Sequence, residues 1–153
     1  MYERILVPTD GSDVAESAVG HALDLANKYD AEVHALYVVD IDSVNLGLGT
    51  EQVDRLKQGR FGEMEELKEK ADEATGTVAE RGTARGVDVV EHVSGGRPHK
   101  VIGDYAEDRD SDLIVMGSHG RAGVRRALLG SVTERTLRST HVPVLVVDYL
   151  EGD

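Results

Sequence analysis

The stretch Leu113-Ile114-Val115-Met116-Gly117-Ser118-His119-Gly120-Arg121, continuing to Gly130-Ser131-Val132-Thr133-Glu134 and on to Arg138, decides the reading of this chain. An apolar run, a glycine-spaced segment and a helix start follow one another. That order presents backbone N–H groups to a phosphate. Residues 117–138 hold five arginines (121, 125, 126, 135 and 138) and one acid, Glu134, a local balance of +4. The whole chain has 17 basic and 29 acidic residues, net −12. A positive island around glycines in an acidic protein implies a small ligand that carries phosphate.

At 153 residues the chain has the length of one domain with a sizeable core. Apolar residues make up 40% and charged residues 30%, a globular balance. No apolar run approaches the roughly 20 residues of a membrane span. The N-terminus, Met1-Tyr2-Glu3-Arg4-Ile5-Leu6-Val7-Pro8, reads as a strand without a signal-peptide core. With no cysteine there is no disulfide and no thiolate metal site, so a cytoplasmic protein is expected. The net charge repels nucleic acid, and six aromatic residues offer no stacking platform. Arginine outnumbers lysine 12 to 5, and such an acidic, lysine-poor surface of halophilic type suits a high-salt cytosol.

Working outward, Arg4–Thr9 reads as a buried strand ending at Asp10-Gly11-Ser12. A helix follows from about Asp13, with Val14, Ala18, Ala22, Leu25 and Ala26 at helical spacing and Ser12 or Asp13 as its cap. Ala31–Val39 is a second strand, 40–50 a loop, and Glu51–Arg81 a long helix. Val53, Leu56, Met64, Leu67, Ala71, Ala74 and Val78 form its apolar stripe, with a weak point at Gly59–Gly62. Val87–Val93 is the third strand, and Ser94-Gly95-Gly96-Arg97 turns into a helix with Pro98 first. Leu113–Met116 is the fourth strand. The next helix starts at Ser131, and Ser131-x-x-Glu134 has the form of a capping box. Val142–Val147 closes the chain as a fifth strand. Alternating helices and near-continuous apolar strands predict an α/β sandwich with a parallel sheet covered on both faces. In such sheets ligands sit beyond the strand C-termini where strand order reverses, so Thr9–Ser12 and Gly117–Gly130 face one crevice if strands one and four are neighbours.

Gly117-x2-Gly120-x9-Gly130-Ser131, with Ile5-Leu6-Val7-Pro8-Thr9-Asp10-Gly11-Ser12 and Pro143-Val144-Leu145-Val146-Val147, resembles the universal stress protein family in its nucleotide-binding subgroup. The resemblance runs over essentially all of 1–153, as a single nucleotide-binding domain. It implies a five-stranded parallel sheet in the order 3-2-1-4-5, ATP binding, and homodimers formed through the last strand. By position it implies that Pro8, Thr9 and Asp10 line the adenosine side of the pocket and that Val38 contacts adenine. Met116 and Gly117 would lie near the ribose, and Gly120, Gly130, Ser131 and Val132 would hold phosphates. AMP or ADP are further candidate ligands, with Mg²⁺ on the phosphates.

Each of these residues also has a plain structural account. Gly120 and Gly130 can be turn glycines with positive φ, Ser131 an N-cap, and Asp10 the closure of an Asx turn. The six histidines show no metal-binding spacing; His119 sits among the glycines as a candidate pocket residue and general base. No Gly-Lys-Ser/Thr follows the glycines, so no lysine is set to bridge β- and γ-phosphates. Spacings of two and nine after the fourth strand are not a dinucleotide fingerprint either. No nucleophile–base pair or carboxylate dyad appears at telling spacing. The expected function is an ATP-binding regulatory or stress-response protein with little or no hydrolysis and no assigned catalytic or metal residues. A nucleotide-free interaction module of the same fold and a slow nucleotide hydrolase are the alternatives.

Overall fold

Ile5, Leu6 and Val7 have no exposed surface, and burial on both faces marks their strand as the centre of a sheet. In the computed structural model, which describes residues 2–40, 61–119 and 129–148 (backbone alone over 61–64), that strand is β1, Arg4–Pro8. The order is β3-β2-β1-β4-β5, with β2 Glu32–Asp40, β3 Val89–Gly96, β4 Leu113–Gly117 and β5 Val144–Val147. Every neighbouring pair is parallel, as expected of strands joined through helices.

Successive strand residues point to opposite faces, and two cores result. Ile5, Val7, Val33, Ala35 and Val115 pack beneath α1 (Asp13–Tyr29) and α2 (Phe61–Ala84). Leu6, Leu36, Ile114 and Met116 pack beneath α3 (Pro98–Asp108), and Val132 of α4 (Ser131–Ser139) joins them. In α1 the residues Ala18, Ala22 and Ala26 recur every fourth position, and their small side chains let the helix lie close on the sheet. The seam continues through Leu23, fully buried, while the expected Leu25 is half-buried. Enclosing Leu23 contributes roughly 1.5–3 kcal/mol. Ser12 is the α1 cap, its hydroxyl accepting from the Ala15 N–H at 3.2 Å. Glu16, in the first turn, pairs with Arg81 of α2 at 3.3 Å.

Several element boundaries differ from expectation, and the fifth strand starts at Val144 rather than Val142. In the long helix, Ala71, Ala74 and Val78 are buried and Leu67 half-buried, but Val53, Leu56, the Met64 side chain and Gly59 lie outside the described residues. The helix runs on to Ala84, and the Val87 N–H closes its end by donating to Gly82 O at 2.8 Å, so β3 begins at Val89. Beyond Val93 the chain does not turn: Ser94, Gly95 and Gly96 pair with Val38, Val39 and Asp40 and lengthen β3. A Cβ on Gly96 would lie 2.6 Å from Val101 Cγ2, so the glycine lets α3 start against the strand end.

One polar network lies within the α3 face. Buried His34 contacts the Tyr105 hydroxyl through Nδ1 at 2.7 Å and Glu32 through Nε2 at 2.9 Å. The hydrogen bond from His34 holds the Glu32 carboxyl below the usual carboxylate range, and burial pushes the Tyr105 phenol up. Both ring nitrogens are engaged, so this histidine has a structural role.

Candidate functional site

β1 lies between β2 and β4, so strand order reverses there and the two glycine-bearing segments leave the sheet side by side. On the β1 side the Thr9 N–H donates to Leu36 O at 2.9 Å and fixes the exit of the chain. Thr9 is buried, and its Oγ1 accepts from the Gly11 N–H at 3.2 Å. Gly11 stands at φ 79°, a conformation a side chain resists. Asp10 Oδ1 accepts from the Ser12 N–H at 2.9 Å, so the plain Asx-turn account of Asp10 is correct as far as it goes. Pro8 pairs with Leu36, which places Val38 two residues beyond the end of β1, half-buried beside the opening.

On the β4 side Met116 is 4% exposed and belongs to the core. Gly117 is a packing glycine: a Cβ there would meet Val14 Cγ1 at 2.5 Å. Its carbonyl accepts from the Thr133 hydroxyl at 2.8 Å. Next, the Ser118 N–H donates to Val147 O at 2.8 Å, and the Gly130 N–H donates to Ser118 O at 2.7 Å. These bonds fasten the start of α4 to the end of β4. Ser131 and Val132 are the first two residues of α4.

The capping-box expectation fails here. Gly130 is the N-cap (φ −62°, ψ 155°), no side chain caps the helix, and Ser131 is already inside it and exposed. Glu134 does not reach back; it pairs with Arg138 at 3.0 Å. The first turn of α4 therefore keeps N–H groups without intrahelical partners, carrying the positive end of the helix dipole. Gly130 is also not a positive-φ glycine. Its constraint is space, since a Cβ would stand 2.9 Å from His119 Cα. Arg138 is paired with Glu134, the one acid of the positive island. Gly120, Arg121, Arg125 and Arg126 lie outside the described residues.

The structure thus brings Pro8, Thr9, Asp10, Val38, Met116, Gly117, Gly130, Ser131 and Val132 to one end of the sheet. It adds Val14, Ser118, Thr133 and Asp148, which sequence reasoning missed. Ser118 and Thr133 lie within the motif but have no distinguishing spacing, and Asp148 follows β5 with nothing to mark it. Among the described residues no group of three or more His, Asp or Glu side chains stands together to hold a metal. A separate open cleft of about 470 Å³ lies at the opposite end of the sheet, lined by residues such as Arg4, Asn27, Asp30 and Asp88. Its Arg4–Glu32 pair at 3.2 Å is ordinary surface electrostatics.

Comparison with known proteins agrees with this geometry. A relative, universal stress protein MJ0531 of Methanocaldococcus jannaschii, is 43% identical over 147 residues, covering 96% of this chain and 82% of that protein. The solved structure of MJ0577, also a universal stress protein of that organism, superposes with a TM-score of 0.84 at 32% identity, covering 99% of both chains. A universal stress protein solved in complex with cAMP has a TM-score of 0.67 at 24% identity, covering 96% of this chain and 97% of its own, a likeness of fold. The family model matches residues 1–148. A sheet ordered 3-2-1-4-5, with its glycine segments meeting at the β1–β4 reversal and a match over 1–148, places this chain in the universal stress protein family.

Proposed function

We propose that this protein binds an adenine nucleotide, ATP foremost, in the crevice between β1 and β4, and acts in the cytoplasm as a regulatory or stress-response protein with little or no hydrolysis. The observation that carries the reading is the uncapped start of α4. It is fastened by Gly130 beside the end of β4, the strand next to β1. A helix start of this kind is a ready anion site. In this reading Ser131 and Val132 give backbone N–H groups to phosphate, with Gly120 and Gly130 allowing close approach. Pro8, Thr9, Asp10 and Val38 take the adenosine, with Met116 and Gly117 near the ribose. Mg²⁺ would arrive on the phosphates. Hydrolysis is expected to be slow, because no group that would position a water is evident in the sequence. The cAMP-bound universal stress protein lends support at the level of the shared fold.

Calorimetric titration of ATP with Mg²⁺ into nucleotide-stripped protein tests this directly. Binding is expected, and ATP at 100 times Kd is expected to stabilise the fold by about 2.7 kcal/mol. No heat and no thermal shift with ATP, ADP or AMP would favour an interaction module that uses the fold without nucleotide.

We further propose a homodimer through Val142–Val147. β5 is an edge strand, Leu145 is 37% exposed, and Val144 and Val146 are half-buried, a surface that invites a second copy. Leu145→Lys is expected to shift sedimentation to the monomer, and a dimer undiminished in that variant places the interface elsewhere.

A further inference from the structure

Ser118 is 7% exposed and has two side-chain partners. Its Oγ lies 2.7 Å from Asp148 Oδ1 and 3.1 Å from His119 Nδ1. A serine hydroxyl has one hydrogen, and an ionised carboxylate can only accept. The Ser118 hydrogen therefore goes to Asp148. At the second contact Oγ must accept, so Nδ1 of His119 carries hydrogen. A neutral imidazole has a single N–H, which leaves the lone pair on Nε2. Among the described residues Nε2 has no hydrogen-bond partner.

We infer that Asp148 and Ser118 are positioning residues that hold His119 as its Nδ1–H tautomer, so that Nε2 is a hydrogen-bond acceptor at the crevice. The ligand group it takes is a hydroxyl-type donor, either a ribose hydroxyl or a water at the phosphates. This ligand role rests on the nucleotide reading; the tautomer does not. The main chain around the ring is fixed as firmly as the proton. Gly130 stands against His119 Cα, and Ser118 N–H is tied to Val147 O, next to Asp148. Without the carboxylate the Ser118 hydroxyl would turn and donate to Nδ1, and the imidazole would present N–H instead of a lone pair. A lone pair disfavours phosphate oxygens, which leaves those to the start of α4 and sorts the two ligand chemistries across the site.

The test is long-range ¹H–¹⁵N spectroscopy of the histidine rings in the full chain, without nucleotide, at a pH where the rings are neutral. Spectra of His119→Gln identify the His119 signals. Nδ1 is expected to show the protonated, pyrrole-type shift and Nε2 the pyridine-type shift. Asp148→Ala, a change at an exposed position, is expected to exchange the two; Ser118→Ala is expected to remove the preference for Nδ1–H. A wild-type ring protonated on Nε2, or one unchanged in Asp148→Ala, overturns the relay. ATP and Mg²⁺ are then added to the same samples. Heat of binding with no change at Nε2 overturns the acceptor role. Absence of heat overturns the nucleotide reading and the ligand assignment with it, while the tautomer exchange still decides the relay.

Discussion

In the proposed function, Gly130→Val is expected to lower ATP affinity about 100-fold or more, equivalent to losing two charge-assisted hydrogen bonds of roughly 1.5 kcal/mol each. The cause is steric. Gly130 has an ordinary extended backbone, so a valine suffers no φ penalty. Its Cβ, however, would lie 2.9 Å from His119 Cα and 3.3 Å from His119 Cβ. The first of these is main chain and cannot rotate away. Either the residues around His119 or the first turn of α4 must move, and the 2.7 Å bond from Gly130 N–H to Ser118 O spans that contact. The N–H groups of Ser131 and Val132 then lose their aim at the crevice. Overpacking of this kind costs about 1–3 kcal/mol, so the variant is expected to fold with a lowered Tm. Calorimetry at a temperature where circular dichroism shows the variant folded separates the two effects. Wild-type affinity in a folded Gly130→Val protein would sink the assignment of phosphate to this helix start.

The sheet was legible in the sequence because its strands are short apolar runs with glycine or polar breaks after them. Ile5-Leu6-Val7 and Leu113–Met116 cannot be surface. Element ends were harder. Ser94-Gly95-Gly96 has turn composition yet continues β3, because pairing with Val38, Val39 and Asp40 outweighs the weak strand preference of glycine. Ser131-x-x-Glu134 matches a capping box in letters, and the helix does start at Ser131, but tertiary contacts give the cap position to Gly130 and set the register. Thr133 spends its hydroxyl on Gly117 O and fixes that register across 16 residues. Long-range bonds of this sort leave no periodic trace. For the same reason Gly117 and Gly130 stand out in the sequence, but the cause of their being glycine does not. The answer lies in Val14 and His119, residues that touch them from elsewhere in the chain.

Gly117→Ala is expected to destabilise the fold by about 1–3 kcal/mol and, in the proposed function, to weaken nucleotide binding as well. A methyl on Gly117 would meet Val14 Cγ1 at 2.5 Å and the Val14 carbonyl carbon and oxygen at 3.3 Å. Val14 is 6% exposed in the first turn of α1, two residues after the Ser12 cap. Relief therefore requires α1 to back away from β4. That carries Ser12, and with it the Asx turn of Asp10, away from the Gly117 side. One methyl group would thus loosen both walls of the crevice through its contact with Val14. Val14→Ala removes the opposing Cγ1 at the cost of a small cavity. The double variant Gly117→Ala/Val14→Ala is then expected to be more stable than the sum of the single losses by 0.5 kcal/mol or more, about the lower end of coupling between residues in contact. Urea unfolding of the four proteins measures this coupling, and strict additivity would mean that the 2.5 Å approach is not what requires glycine at 117.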